Sequence, residues 1–228
     1  MWRSGLPEGF TIVPVCPPGR EGRFSVEIPE DFNQLLSDFA DQLGGSIATP
    51  FAILGHSMGA LMGFEFARYL RRTRRPSPVH LFVFAFRAPQ LPSRGAVLSG
   101  LSDAALLATI MRLQGTPKEI LQQSELVRLL LPILRADLRV CNRYHYQTEA
   151  PLACPITCFA GSSDLQVRPE ELYAWRLQTR GAFRLHYIPG GHFFLYQAPT
   201  IVLGKMLADL DFRHRFAPDR MTTGKTIS

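Results

Sequence analysis

Residues 51–72 place a short apolar run, a glycine-flanked turn and a helix-forming stretch directly one after another. Residues 51–54 have the length and composition of a buried strand, and residues 60–72 are apolar nearly all round. Between them stands the turn Gly55-His56-Ser57-Met58-Gly59. A side chain at either glycine is expected to collide with the neighbouring strand and helix. The segment therefore predicts a sharp strand–turn–helix unit packed inside the molecule.

Further apolar runs of strand length follow at residues 81–86, 156–160 and 183–188. Helix-forming stretches separate these runs, and the apolar positions of residues 31–43 fall on one helical face. A β-branched apolar run at residues 11–16 predicts one more strand near the start of the chain. Strands that alternate with helices favour a mostly parallel sheet covered on both faces. The predicted fold class is α/β.

The length of 228 residues suits one α/β domain, and we expect that domain to span residues 1–212. Residues 101–146 are strongly helical without a strand of their own, and Pro132 is expected to break or kink a helix there. This insertion follows the carboxyl ends of strands, where α/β sheets bind ligands, so we interpret it as a lid or pocket wall. The alternative is a set of extra core helices. Residues 213–228 are predicted to form a polar tail.

Basic residues give the chain a formal net charge of +6 and group at Arg71, Arg72, Arg74 and Arg75. Such a group suits a solvated helix C-terminus, where cations complement the helix dipole. It could also form a docking surface for an acidic partner. Nucleic acid is not expected as a partner, because no binding motif or interleaved aromatic residues accompany the charge.

Four cysteines, at positions 16, 141, 154 and 158, form neither a metal-ligand pattern nor a secreted disulfide framework. Cys158 lies in an apolar run, where a buried free thiol is expected. The N-terminus has no signal-peptide apolar region, and no apolar run approaches the length of a membrane helix. We therefore expect a cytoplasmic protein that does not enter a membrane.

Ser57 stands where a strand-to-helix turn can lift a hydroxyl above the sheet as a nucleophile. It needs a base, and His192 follows the strand at residues 183–188 through a Pro-Gly-Gly loop. Asp164 follows the strand at residues 156–160 and can hold the imidazole in one tautomer. The chain order Ser57, Asp164, His192 is that of the α/β-hydrolase fold. The alternative is that Asp164 forms a turn and His192 is structural.

The other histidines and carboxylates are less suitably placed to act as the base or the acid. His56 lies within the turn itself, where its side chain is expected to point away from the site of attack. Residues 87–90, after the strand at residues 81–86, offer no carboxylate, and Asp137 in a helical segment is expected to be solvated or ion-paired. The other four histidines are expected at the surface or in packing, namely His80, His145, His186 and His214.

Several motifs together resemble the type II thioesterases that accompany polyketide and non-ribosomal peptide synthases. They extend over nearly the whole chain: Pro18-Gly19-Arg20, Gly55-His56-Ser57-Met58-Gly59-Ala60, Arg87-Ala88-Pro89, Leu131-Pro132, Leu134-Arg135-Ala136-Asp137, residues 161–164 and Gly190-Gly191-His192-Phe193-Phe194. The resemblance implies an α/β-hydrolase that releases acyl groups from the phosphopantetheine arm of acyl or peptidyl carrier proteins. It implies catalysis by Ser57, Asp164 and His192 through an acyl-serine, without a metal or organic cofactor.

The resemblance also defines an expectation about the oxyanion hole. The backbone N–H of Met58, directly after the nucleophile, is expected to supply one donor. Members of this family supply a second donor from a Phe-Pro-x-Ala-Gly-Gly loop that follows an N-terminal strand, and residues 1–7 resemble the helix after that loop. The expectation is an N-terminally shortened version of such an enzyme, in which the first strand and this loop are not encoded.

The sequence is also compatible with two other functions. A small-molecule carboxylesterase could use the same fold and triad. Alternatively, the chain could bind carrier proteins while turning over weakly, because one oxyanion donor is not encoded. In the leading interpretation the protein is expected to act as a monomer.

Overall fold

The computed structural model describes residues 5–29, 31–43, 47, 49–92, 100–112 and 124–210. Its four strands are β1 (Ala52–His56), β2 (His80–Phe84), β3 (Ile156–Gly161) and β4 (Phe183–Ile188). They form one sheet in the order β1-β2-β3-β4, and every neighbouring pair is parallel. The predicted strands 81–86, 156–160 and 183–188 are thus confirmed to within two residues, and the fold class is α/β.

Seven α-helices occur within the described ranges. They are α1 (Phe32–Leu43), α2 (Met58–Arg72), α3 (Asp103–Arg112), α4 (Ser124–Arg143), α5 (Pro169–Tyr173), α6 (Phe194–Gln197) and α7 (Pro199–Asp209). Short 3₁₀ turns occupy Glu21–Arg23 and Ala174–Gln178. Within these described segments, no helix is long and apolar enough to cross a membrane.

The sheet is covered on both faces, because β2 alternates its side chains between two cores. Leu81 and Val83 pack with Phe64 of α2 and with Trp175. Phe82 and Phe84 lie on the opposite face in a second core with residues of α6 and α7. All four of these side chains are fully buried, which explains why residues 81–84 are a continuous apolar run rather than an alternating one.

The prediction of a strand at residues 11–16 is wrong. These residues have no regular secondary structure, and Val13 is 62% exposed. The backbone N–H of Cys16 donates to the Gln42 side chain of α1 rather than to a strand. A β-branched run forms a strand only where a neighbouring strand can accept its ladder of hydrogen bonds.

Pro132 does not break its helix, because α4 continues through it as one element of 20 residues. The two halves of α4 differ in their surroundings. Val140 is 1% exposed and packs in a core with α1 and α2, whereas Leu129 in the first half is 50% exposed. The second half of α4 is therefore a core helix, whereas the first half is less deeply packed.

Candidate active site

Ser57 lies at the carboxyl end of β1, in a sharp turn that leads into α2. Its backbone has φ 54° and ψ −124°, an unusual conformation for a residue with a side chain. Its N–H donates to the carbonyl oxygen of Phe84 over 2.9 Å, which extends the pairing of β1 with β2 into the turn. Strained backbone of this kind is held in place only where the surrounding structure determines it.

The two glycines that flank Ser57 are not equivalent. A Cβ atom at Gly55 would lie closer than 3.0 Å to the carbonyl oxygen of Gly59, so no side chain fits there. A Cβ atom at Gly59 would meet nothing within 4 Å beyond its own helix. The expectation of a collision at both flanks is therefore confirmed for Gly55 and wrong for Gly59.

The loops after β3 and β4 are fastened to each other by their backbones. The N–H of Ser162 donates to Ile188 over 2.8 Å, and the N–H of Ser163 donates to Gly190 over 2.9 Å. Gly161 faces this second loop so closely that a Cβ atom there would collide with the carbonyl oxygens of Gly190 and Gly191. The absence of a side chain at Gly161 is what lets the two loops approach.

This approach brings Asp164 and His192 together. His192 Nδ1 lies 2.9 Å from Asp164 Oδ2, and the side chains are 8% and 1% exposed, respectively. Because a carboxylate only accepts, the imidazole proton resides on Nδ1, which leaves Nε2 able to accept a proton. The other carboxylate oxygen, Oδ1, accepts the N–H of Gln166 over 2.8 Å. Both oxygens of the buried carboxylate are thus satisfied.

Ser57 shares this edge of the sheet with the pair, because the carboxyl ends of parallel strands meet there. Within the described part of the chain, no hydrogen bond joins Ser57 Oγ to His192. A nucleophile and its base often stand further apart without substrate and approach only in the reacting complex. The arrangement offers a hydroxyl, an imidazole and a buried carboxylate, the three groups that acyl transfer by a serine requires.

Met58 is the first residue of α2. The first backbone N–H groups of a helix have no partner within that helix, and the helix dipole favours negative charge at the same end. The position of Met58 is thus suited to receive a developing oxyanion beside Ser57.

His56 was expected to point away from the site of attack, and the structure places its ring beside that of His192. Its Nε2 lies 2.9 Å from the carbonyl oxygen of His192, and its ring centroid is 4.9 Å from that of the His192 ring. The sequence carried one usable signal, since His56 ends the same strand that leads to Ser57. Its place in the turn does not reveal the contact, because the loop after β4 comes from residues 136 positions away.

The other predicted residues lie away from this site. Asp137 is ion-paired with Arg20 as expected, with Nη2 2.7 Å from Oδ1. His80 is buried against Thr157, and His186 pairs with Asp209 of α7. His145 is exposed, and His214 lies outside the described residues.

The segments that the structure describes contain neither a disulfide nor a cluster of metal-binding side chains. The thiols of all four cysteines are free, and Cys158 is fully buried as predicted. No group of three or more His, Cys, Asp or Glu side chains in those segments is arranged to hold a metal ion.

The chain is similar to known proteins in sequence and in fold. The gramicidin S biosynthesis protein GrsT of Aneurinibacillus migulanus is 41% identical over 198 residues, which cover 86% of this chain and 77% of GrsT. The RedJ thioesterase from the prodiginine pathway of Streptomyces coelicolor superimposes with a TM-score of 0.84 at 38% identity, over 92% of this chain and 82% of RedJ. The type II thioesterase BorB from the borrelidin cluster gives a TM-score of 0.75 at 35% identity, over 85% and 79% of the two chains.

The family comparison covers most of the molecule. Residues 1–210 match the thioesterase domain model, a span that includes all four strands and the loops of the site. The chain belongs to the thioesterase family.

Proposed function

We propose that this chain hydrolyses acyl thioesters on the phosphopantetheine arm of carrier proteins, as an editing enzyme of non-ribosomal peptide or polyketide synthesis. Membership of the thioesterase family supports the reaction, and relatives named for gramicidin S, prodiginine and borrelidin biosynthesis support the setting. The observation that carries the proposal is the buried 2.9 Å hydrogen bond between His192 and Asp164, at the sheet edge where Ser57 directly follows β1.

In this mechanism Ser57 Oγ attacks the thioester carbonyl while His192 Nε2 takes its proton. The tetrahedral intermediate collapses to an acyl-serine, and the thiol of the phosphopantetheine arm leaves with a proton from His192. Water, activated by the same imidazole, then hydrolyses the acyl-serine. Asp164, whose two carboxylate oxygens accept hydrogen bonds from His192 and Gln166, stabilises the imidazolium.

The backbone N–H of Met58 would donate to the oxyanion. Its support is the position of Met58 at the start of α2, where backbone donors lack intrahelical partners. One oxyanion-hole donor contributes about 10²- to 10³-fold to turnover.

The proposed partner is an acidic carrier protein, and the basic group at the end of α2 is one candidate surface for it. Arg71 and Arg72 both bind Glu149, which neutralises part of this group. Arg74 and Arg75 are exposed, so they carry most of the attraction for an acidic surface. We further propose that the enzyme acts as a cytoplasmic monomer, in keeping with its free cysteines.

For the domain organisation we propose a single domain over residues 1–212, in which α3 and the first half of α4 act as a lid. The exposed side chain of Leu129 supports the lid role, because that half of α4 is not fully packed into the core. The buried side chain of Val140 supports the second half as a fixed support. The proposed polar tail, residues 213–228, lies outside the described residues.

The deciding experiment presents the purified chain with a carrier protein loaded with an acyl-phosphopantetheine group. Release is followed as the loss of acyl mass from the intact carrier. We expect Ser57→Ala to lower release by at least about 10³-fold and Asp164→Asn by about 10⁴-fold, because the triad acts as a unit. Ser162→Ala changes an exposed serine in the neighbouring loop and should leave release unchanged.

The same assay separates the competing functions. A p-nitrophenyl ester tested beside the carrier thioester would reveal a carboxylesterase by a strong preference for the free ester. Tight binding of the loaded carrier without turnover would instead identify a carrier-binding protein. Release that persists in Ser57→Ala would exclude the acyl-serine mechanism.

A further inference from the structure

His56 is the last residue of β1 and immediately precedes Ser57. Its ring contacts both residues that follow the Gly190-Gly191 turn: its centroid is 4.9 Å from that of the His192 ring and 5.1 Å from that of the Phe193 ring. The ring is therefore part of the contact between the nucleophile's strand and the loop of the base.

A hydrogen bond fixes this contact. His56 Nε2 lies 2.9 Å from the carbonyl oxygen of His192, and since a carbonyl only accepts, His56 must carry its proton on Nε2 and donate it. The bond reaches the backbone of His192, whereas Asp164 binds the ring of the same residue. Two independent hydrogen bonds therefore hold His192. His56 donates to its backbone carbonyl, and Asp164 accepts from its ring.

The loop has few hydrogen bonds of its own around His192, and the nearest one runs from the N–H of Phe194 to the carbonyl oxygen of Gly191 over 3.1 Å. Gly190 has φ +129°, a conformation that favours glycine, and Gly191 follows it directly. The hydrogen bonds from Ser162 and Ser163 fasten the loop before Gly191, upstream of His192. After Gly191, the carbonyl of His192 is anchored by His56.

We propose that His56 is a positioning residue that holds the backbone of His192 at a fixed distance from Ser57. The inference rests on the roles proposed above for Ser57 and His192, and it assigns no chemical step to His56. A tether from the residue adjacent to the nucleophile sets the separation of nucleophile and base directly, without relay through the sheet.

The charge state of His56 agrees with this role. The pKa of His56 is lowered to about 4, chiefly by burial; the hydrogen bond to the His192 carbonyl and the charge of Asp164 oppose this shift but do not outweigh it. A neutral ring with Nε2 committed to the carbonyl donates one hydrogen bond and competes neither for Asp164 nor for the serine proton.

Three substitutions test the donor separately from the ring. His56→Gln places an amide N–H₂ close to the position of Nε2, His56→Asn is too short to reach, and His56→Phe keeps the ring contacts without a donor. The rate at which a fluorophosphonate labels Ser57 reports the nucleophile and base without a thioester. Hydrolysis of an acyl-loaded carrier gives kcat and KM for the same variants.

We expect His56→Phe and His56→Asn to lower the labelling rate and kcat by about 10- to 100-fold with KM within about twofold, since small misplacements of reacting groups cost this much. His56→Gln should stay within about threefold of the wild type. Thermal unfolding of each variant checks that the fold is retained.

The outcomes separate this inference from the proposed function. If folded His56→Phe is labelled at the wild-type rate, the positioning role is overturned. The role is also overturned if folded His56→Gln loses as much labelling rate and kcat as His56→Asn. Wild-type labelling without carrier hydrolysis overturns only the proposed function. A wild-type chain that is not labelled at Ser57 overturns both.

Discussion

Arg20 and Asp137, which are 117 positions apart in sequence, form a two-point ion pair. Arg20 Nη2 lies 2.7 Å from Asp137 Oδ1, and Nη1 lies 3.0 Å from Oδ2. The pair joins the turn after residues 11–17 to α4 at the point where that helix passes from its exposed half to its buried half. It therefore fastens the base of the proposed lid to the body of the domain.

The first prediction concerns the strength of this fastening. A double-mutant cycle with Arg20→Ala and Asp137→Ala should give a coupling of about 0.5–1 kcal/mol in urea unfolding, because the geometry is bidentate but both side chains are about a quarter exposed. The pair Arg135 and Asp103 is the control: Asp103 is 64% exposed, so its coupling should be smaller. Equal coupling in the two cycles would contradict a special role for Arg20.

The second prediction follows from the unequal glycines at the Ser57 turn. Gly55→Ala should unfold the site or the protein, since its Cβ atom would press on the carbonyl oxygen of Gly59. Gly59→Ala should be neutral or stabilise by up to about 1 kcal/mol, because alanine favours a helix over glycine and nothing obstructs it. Thermal unfolding and fluorophosphonate labelling measure both variants. A Gly59→Ala protein as damaged as Gly55→Ala would refute this difference.

The third prediction uses a second pair of glycines to test the two loops. Gly161→Ala should separate the β3 and β4 loops and lower Ser57 labelling by at least about tenfold, because its Cβ atom would strike the carbonyls of Gly190 and Gly191. Gly191→Ala adds a methyl group where nothing lies within 4 Å and serves as the matched control. Loss of labelling in the control alone would show that the Gly161 contact is not what aligns the loops.

The strands and the meeting of Asp164 with His192 could be predicted from sequence for a simple reason. Strands buried on both faces of a parallel sheet are continuous apolar runs, and their carboxyl ends share one edge. Residues that directly follow β3 and β4 must therefore lie near each other, and Asp164 and His192 do. Their catalytic roles remain predictions.

The features that sequence did not predict depend on which neighbour a segment meets. Residues 11–16 have strand composition but no ladder partner, and α4 continues through Pro132. His56 turned toward His192 because the β4 loop covers it, a contact between positions 136 residues apart. Local composition carries no information about contacts at such separations.

The last prediction concerns Glu149, which ties the segment after α4 to α2. Burial raises the pKa of Glu149, but hydrogen bonds from Arg68, Arg71 and Arg72 outweigh it and lower the pKa to about 2. A carboxylate whose folded pKa is depressed contributes stability above its ordinary pKa of about 4.5, and this contribution is lost as the pH falls toward 2.

Glu149→Gln should therefore lower the free energy of unfolding by about 2 kcal/mol at pH 7, a value reduced from the full shift because the side chain is a quarter exposed. The difference from the wild type should shrink as the pH falls from about 4.5 toward 3. Urea unfolding at pH 7, 5 and 3.5 measures it. Glu8→Gln, at an exposed carboxylate, should stay within about 0.5 kcal/mol at each pH. A Glu149→Gln deficit that is the same at pH 7 and pH 3.5 would mean that the charge of Glu149 does not stabilise the link.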